Sequence, residues 1–369
     1  MIIYPAEWNA RKEAVFTALA QADGGGRRLL TIPWSARDFP ETKARVALCL
    51  SRAKRQPQGL ARWLKTHLIR LQYNGARRLF ARHPSAVAVA WNGLGGSRQA
   101  FMLAARDAGL ATLYCELAPF PGRITLDPAG VNAESSVAPP ADFDSSDHWR
   151  ALGNTLTART SRRADVGQAQ GTPQGNYLFC PLQVPNDSQV TLFAGWTLGM
   201  TGFLHALTEA APHLPPGWHL RLKEHPSAKT PLTEALKPLL ATGRAVLDNA
   251  TDSFTQLAAA HAVVTLNSSM GLQAFFHDKP VITLGRAFFA HAPLTTPAPD
   301  QTTLNTLFKT PTTLTYDPTK RAQLMNGLDQ VYYPDPTNPS AMTEKLALAR
   351  NIAQTPSPAP TFALPATRP

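Results

Sequence analysis

The residues of this sequence best suited to chemistry stand at the ends of short apolar runs. Gln183 and Asp187 follow Tyr177-Leu178-Phe179-Cys180, and Lys223, Glu224 and His225 follow His219-Leu220-Arg221-Leu222. Asn267, Ser268 and Ser269 follow Ala262-Val263-Val264-Thr265-Leu266; in the first half, Asn92 and Gly93 follow Ala86–Ala90, and Glu116 follows Ala111–Tyr114. Asn267-Ser268-Ser269-Met270-Gly271 offers free N–H groups and hydroxyls at a strand-to-helix turn, which suits a phosphate. Plain N-capping demands the same residue types. Lys223-Glu224-His225-Pro226 sets a cation, a carboxylate and an imidazole on one turn stiffened by Pro226. That histidine suits donation to a phosphate or acid catalysis, although a loop histidine without a role has the same sequence. Asp187 and Glu116 are a candidate carboxylate pair, one attacking or stabilising an anomeric carbon while the other handles the acceptor proton. Asp187 equally suits an N-cap.

Several chemistries lack their residues. There is no Walker-type Gly-Lys-Ser/Thr, His-Glu-x-x-His or paired Cys-x-x-Cys. Gly93-Leu94-Gly95-Gly96 lacks the full dinucleotide fingerprint, although Glu116 lies near the spacing of its acidic partner. No Asp-x-Asp pair follows any of the apolar runs. No metal-bound nucleotide diphosphate, metal or cofactor is therefore expected.

The elements that position these residues read as alternating strands and helices. In the first half, Leu29-Leu30-Thr31-Ile32 reads as a strand stopped by Pro33, followed by the strands at Ala86–Ala90 and Ala111–Tyr114 with a helix at Arg98–Ala108 between them. Residues 133–175, rich in Ser, Thr, Asp, Gln and Pro, read as a connection. In the second half, strands at Tyr177–Cys180, His219–Leu222, Ala245–Leu247, Ala262–Leu266 and Val281–Leu284 alternate with helices to about Ala211, at Leu232–Leu240, Phe254–Ala260 and Gly271–Phe276. Such alternation predicts parallel sheets with right-handed crossovers. The expected architecture is α/β, with two facing Rossmann-like domains and a cleft between them. The N-terminal domain with its linker is expected at 1–175 and the C-terminal one at 176–353. A Pro-, Ala- and Thr-rich tail at 354–369 reads as disordered. In open parallel sheets ligands collect beyond the carboxyl ends of strands, where all of the polar residues named above fall.

The chain of 369 residues contains no run of about 18 apolar residues. Its start lacks the basic and apolar regions of a secretory signal. Cys49, Cys115 and Cys180 share no metal-ligand spacing, and Cys115 and Cys180 read as small buried hydrophobes. A reducing cytoplasm is the expected compartment. The net charge of +11 is uneven: Lys43 to Arg82 holds eleven Lys or Arg and no Asp or Glu. Within it Leu60, Leu64, Leu68 and Leu71 recur at helical spacing, flanked by Arg62, Trp63, Lys65 and Arg70. An interfacial helix on an anionic membrane and an ordinary surface helix both fit that pattern. No nucleic-acid-binding signature accompanies the charge, so no nucleic-acid partner is expected.

Four blocks together resemble the bacterial capsule polysaccharide biosynthesis family, which includes the β-Kdo transferases of the lipid-linked capsule linker. They are Trp91-Asn92-Gly93 to Arg98 with Ala104–Leu110; Glu116 with Ile124–Asn132; Gln183-Val184-Pro185-Asn186-Asp187-Ser188; and Lys223–Pro226 with Asn267–Ala274 and Lys279–Ile282. They cover about residues 86–290. The resemblance implies a GT-B fold and transfer of Kdo from CMP-Kdo, with retained configuration, to an anionic lipid or glycolipid. It makes Asp187 the nucleophile and Glu116 the acid/base, with His225 and the Asn267–Ser269 turn holding the CMP phosphate or sugar carboxylate. Gln183, Lys223, Glu224, Gly271 and Gln273 would complete the donor side, with Asn92 and Gly93 on the opposite wall. Gln273 departs from the glutamate that holds a donor ribose in many GT-B enzymes. The resemblance also implies the inner-membrane surface and other capsule biosynthesis proteins as partners, with the basic segment suiting a phosphatidylglycerol-type acceptor. A GT-B enzyme using another nucleotide sugar and a non-catalytic capsule assembly or export protein are the alternatives.

Overall fold

The computed structural model describes residues 1–53, 56–137, 142–156, 163–167, 169–171 and 173–354. The tail expected to be disordered lies, from residue 355 on, outside the described residues.

Two sheets form the frame. The first contains β1 (Ile2–Pro5), β2 (Gly26–Leu29), β3 (Val87–Trp91), β4 (Ala111–Leu117) and β5 (Ile124–Asp127), in the order β2-β1-β3-β4-β5. Its pairs are parallel except for the antiparallel edge β4–β5, where Glu116 lies opposite Thr125. The second contains β6 (Asn176–Pro181), β7 (Trp218–Lys223), β8 (Ala245–Leu247), β9 (Ala262–Thr265), β10 (Val281–Thr283) and β11 (Thr296–Pro297). It is parallel throughout, in the order β11-β10-β9-β6-β7-β8.

Burial of all of β3, and of β6 from Tyr177 on, is what a parallel strand covered on both faces requires. The two-residue side-chain period divides each strand between two cores. In β3, Ala88 and Ala90 face the helices Thr42–Ser51, Gly59–Ala81 and Gly96–Asp107, whereas Val87, Val89 and Trp91 face the helices Ala10–Ala22 and Pro339–Gln354. In β6, Leu178 and Cys180 join one C-terminal core, and Tyr177 and Phe179 the other.

Several expectations shift. The first strand of the sequence, Ile2–Pro5, was not anticipated, and the strand expected at Leu29–Ile32 lies earlier, at Gly26–Leu29. Register against β1 aligns Leu29 with Pro5, so pairing ends before Pro33 is reached. The long helix expected up to Ala211 is broken into Ser188–Phe193 and Met200–Ala210, because Leu198 and Gly199 adopt φ of 60° and 146°. The connection at 133–175 is anchored rather than free. Trp149 is buried in a C-terminal core, and Asn326 accepts from its backbone N–H. Helix Pro339–Gln354, at the end of the expected C-terminal domain, packs through Met342, Leu346 and Ala349 on the N-terminal sheet. All three cysteines are free and buried.

Candidate active site

The N-terminal wall is built at the ends of β3 and β4. Asn92 leaves β3 with φ of 62°, a conformation asparagine tolerates better than most residues, and its N–H donates to Cys115 O at 2.7 Å. Gly93 follows with φ of 71°, and a Cβ there would fall 2.6 Å from the Tyr114 ring. This turn aims Asn92 Nδ2 at Glu116 Oε2, 3.0 Å away. Trp91 Nε1 donates to Glu116 Oε1 at 3.2 Å, and Leu117 N donates to the same oxygen at 3.0 Å. Three donors thus fix a half-buried carboxylate at the strand end.

The C-terminal wall brings Gln183 and Asn267 together. Gln183 Nε2 donates to Asn267 Oδ1 at 3.0 Å, and Asn267 Nδ2 donates to Gln189 O and Phe193 O at 2.9 and 3.1 Å. The Asn267 amide therefore ties β9 to helix Ser188–Phe193. Asp187 caps that helix, with Oδ1 accepting from Gln189 N at 2.8 Å, and the residue is exposed. Phe193 at its far end is seated in the N-terminal core, with Leu192 packed beside it. The helix that carries Asp187 is thus clamped between the two domains.

Lys223 and Glu224 serve the fold of their own loop. The Lys223 ammonium donates to the carbonyls of Gly167, Asn249 and Thr251 at 3.1, 2.7 and 2.6 Å. Burial pulls its pKa below the ordinary lysine value against the opposing pull of Asp248 and Asp252. Glu224 accepts from Arg163 Nη2, Asn249 Nδ2 and Leu232 N. Burial pushes its carboxyl up, but those donors outweigh it and hold the pKa below the usual glutamate value. His225 Nδ1 accepts from Ser227 N at 3.0 Å, so the neutral ring carries its proton on Nε2.

Ser268 caps helix Ser269–Gln273 by accepting from Met270 N, and Ser269 is exposed at its first position. The helix has five residues, so its dipole is small and the hydroxyl and N–H groups matter more. At Gly271 a Cβ would meet the Phe289 ring at 2.9 Å. Gln273 Oε1 is buried with no hydrogen-bond partner among the described residues.

Two residues were missed from sequence. Trp91 read only as the end of a strand, because its indole donor is visible only once β3 and β4 are paired. Exposed Arg286 follows β10, where the same strand-end rule, carried past Leu284, reaches it. Its N–H donates to Phe193 O at 2.8 Å, and a Cβ on the preceding Gly285 would meet that carbonyl at 2.5 Å. The one Asp-x-Asp of the chain, Asp142-Phe143-Asp144, lies in the interdomain connection, where both Asp144 carboxylate oxygens accept from Ser146.

A family model described as capsule polysaccharide biosynthesis protein matches residues 150–328. Over 184 residues the chain is 32% identical to the protein FixF of Sinorhizobium fredii, covering 50% of this chain and 45% of that one. Over 160 residues it is 31% identical to the capsule polysaccharide modification protein LipB of Neisseria meningitidis, covering 41% and 36%. The chain thus spans less than half the length of these curated relatives. Among solved structures it is similar to Thermosulfurimonas dismutans KpsC, beta Kdo 2,7 transferase, with a TM-score of 0.50 at 14% identity over 88% of this chain and 90% of that one. At that identity the likeness speaks for the fold, which is GT-B, with two Rossmann-like α/β domains. Residues 150–328, just under half of the chain, thus match the capsule polysaccharide biosynthesis family, and the chain carries a glycosyltransferase-like fold.

Proposed function

We propose that this chain transfers Kdo from CMP-Kdo, with retained configuration, to an anionic lipid or glycolipid at the cytoplasmic face of the inner membrane. The observation that carries the reading is the fixed carboxylate of Glu116 on one domain, combined with Asp187 on a helix clamped between both. In the first step an oxygen of Asp187 bonds to the anomeric carbon as the bond to the CMP phosphate breaks, and CMP leaves with the electron pair. In the second, Glu116 takes the acceptor hydroxyl proton while that oxygen displaces Asp187, so two inversions give net retention. The capping bond to Gln189 N holds Asp187 through Oδ1 and leaves Oδ2 as the attacking atom. His225 Nε2–H, the Ser269 hydroxyl and Arg286 supply donors for the phosphate or the sugar carboxylate. A monophosphate leaving group needs no metal to neutralise it. Gln183, Asn267, Lys223 and Glu224 support the loops that present these groups, and other capsule biosynthesis proteins would supply the acceptor.

A donor screen tests this. CMP release from CMP-Kdo with a lipid acceptor in the presence of EDTA is the expected result; turnover of a UDP-sugar with indifference to CMP-Kdo refutes it. The unpartnered Gln273 Oε1 favours a second reading, a different nucleotide sugar, which that screen would identify. Glu116→Gln should lower kcat on the order of 10²–10⁴-fold and allow a Kdo adduct on Asp187 to be seen by mass spectrometry. Wild-type protein inert with every donor points to a non-catalytic capsule assembly role.

A further inference from the structure

The basic segment acquires a specific form in the structure. Helix Gly59–Ala81 buries its second half through Ile69, Tyr73, Ala76, Leu79 and Phe80. Its first ten residues, about 15 Å of helix, leave their apolar side chains in solvent. Leu60 is 71% exposed, Trp63 56%, Leu64 54% and Leu68 38%. These positions recur at intervals of three and four, so they form one stripe along the helix. Trp34, 65% exposed, lies beside the same helix, where Ser35 N donates to Leu71 O. A stripe of leucines and a tryptophan at helical spacing is a core-facing pattern, yet among the described residues no core covers it.

The charges around it say what does. Arg45, Arg52, Arg70 and Arg77 of the segment are paired with Asp107, Glu134, Asp38 and Glu41. Arg62 and Lys65, which flank the stripe, have no carboxylate partner among the described residues. A second copy of the chain would bring identical positive patches together in a two-fold interface, which opposes that pairing. A surface that accepts leucine and tryptophan to shallow depth while presenting negative charge is an anionic lipid bilayer. We propose that residues 59–68 lie in the headgroup plane of a membrane containing acidic phospholipids, with Leu60, Trp63, Leu64 and Leu68 entering the acyl boundary and Arg62 and Lys65 on phosphates. The inference rests on the proposed transfer reaction only for why an acceptor would be met there.

Co-sedimentation of the full chain with vesicles tests it, without any sugar donor present. Binding to phosphatidylcholine vesicles containing phosphatidylglycerol is expected, weakening with salt. Arg62→Gln with Lys65→Gln should weaken it roughly 25-fold, about fivefold per charge. Leu60→Ser with Trp63→Ser and Leu64→Ser should weaken it more than about tenfold. The variants change exposed side chains and the half-buried Lys65, which has no carboxylate partner among the described residues, so an unaltered melting temperature is expected and shows that the fold persists. Absence of wild-type binding at low salt overturns the proposal, as does equal binding to pure phosphatidylcholine or wild-type binding by both variants. A concentration-dependent dimer abolished by the serine variant would also overturn it in favour of self-association. Failure of the transferase reading would leave the vesicle result standing, and the reverse holds equally.

Discussion

Replacing Asn267 by alanine separates a residue that builds the site from one that touches the donor. Asn267 is 3% exposed, and its amide makes three hydrogen bonds, with Gln183 Nε2, Gln189 O and Phe193 O. Phe193 O keeps Arg286 N at 2.8 Å after the change, so it stays satisfied. Gln183 Nε2 loses its acceptor in a buried place, which costs about 1–3 kcal/mol, and the bond to Gln189 O contributes about 1 kcal/mol more. The sum is about 3 kcal/mol. For a domain of this size that lowers the apparent melting temperature by about 6–12 °C. Because the same amide holds the helix that carries Asp187, kcat for sugar transfer should fall with it. Differential scanning calorimetry and a CMP-release assay on one preparation provide the two readouts. Ser269→Ala is the control: the hydroxyl is exposed, so stability should change by less than about 0.5 kcal/mol while the KM for donor rises. An Asn267→Ala protein that melts like wild type but no longer binds donor would refute this reasoning and make Asn267 a direct ligand.

Gly93→Ala places a methyl against the Tyr114 ring at a positive φ, and a loss of about 2–4 kcal/mol in thermal or denaturant unfolding is expected. Arg163→Gln removes a donor from Glu224, whose folded pKa lies below its ordinary value of 4.5. A lowered carboxyl pKa contributes stability that is complete above the unfolded value and is lost as pH falls through the folded one. Wild-type stability should therefore decline below about pH 4.5, and Arg163→Gln should flatten that decline in melts between pH 3 and 7. Arg286→Ala should raise the KM for an anionic donor roughly tenfold with little change in melting temperature, because the backbone N–H that bonds Phe193 O is retained.

The central strands of the C-terminal sheet were legible in the sequence because β6, β9 and β10 are buried on both faces and read as unbroken apolar runs. Ala245–Leu247 matches the structure in full, and Tyr177–Cys180 and Ala262–Leu266 lie within a residue or two of it. The N-terminal sheet was harder. Ile2–Pro5 is four residues long at the start of the chain, and Gly26-Arg27-Arg28-Leu29 exposes its arginines, so neither shows a clear period. Strand-end position singles out Glu116, Gln183 and Asn267 as candidate site residues, but their partners depend on register and loop path. No local pattern announces that Lys223 is held by three carbonyls from residues 167, 249 and 251, or that Trp91 reaches Glu116 from the adjacent strand. A polar residue at a strand end belongs to the site region; only its hydrogen bonds decide whether it faces a ligand or holds a loop.

The clamping of helix Ser188–Phe193 bears on how two domains can share one reaction. Asp187 belongs to the C-terminal half by sequence, yet Phe193 and Leu192 fasten its helix into the core of the N-terminal domain, which carries Glu116 at a strand end. Asn267 and the close approach of Gly285 to Phe193 O bind the same helix to the C-terminal sheet. A helix held from both sides resists displacement relative to either. Packed elements rather than flexible loops therefore hold the helix behind Asp187 and the strand end of Glu116, as the proposed two-step displacement would require of two carboxylates that reach one anomeric carbon in turn.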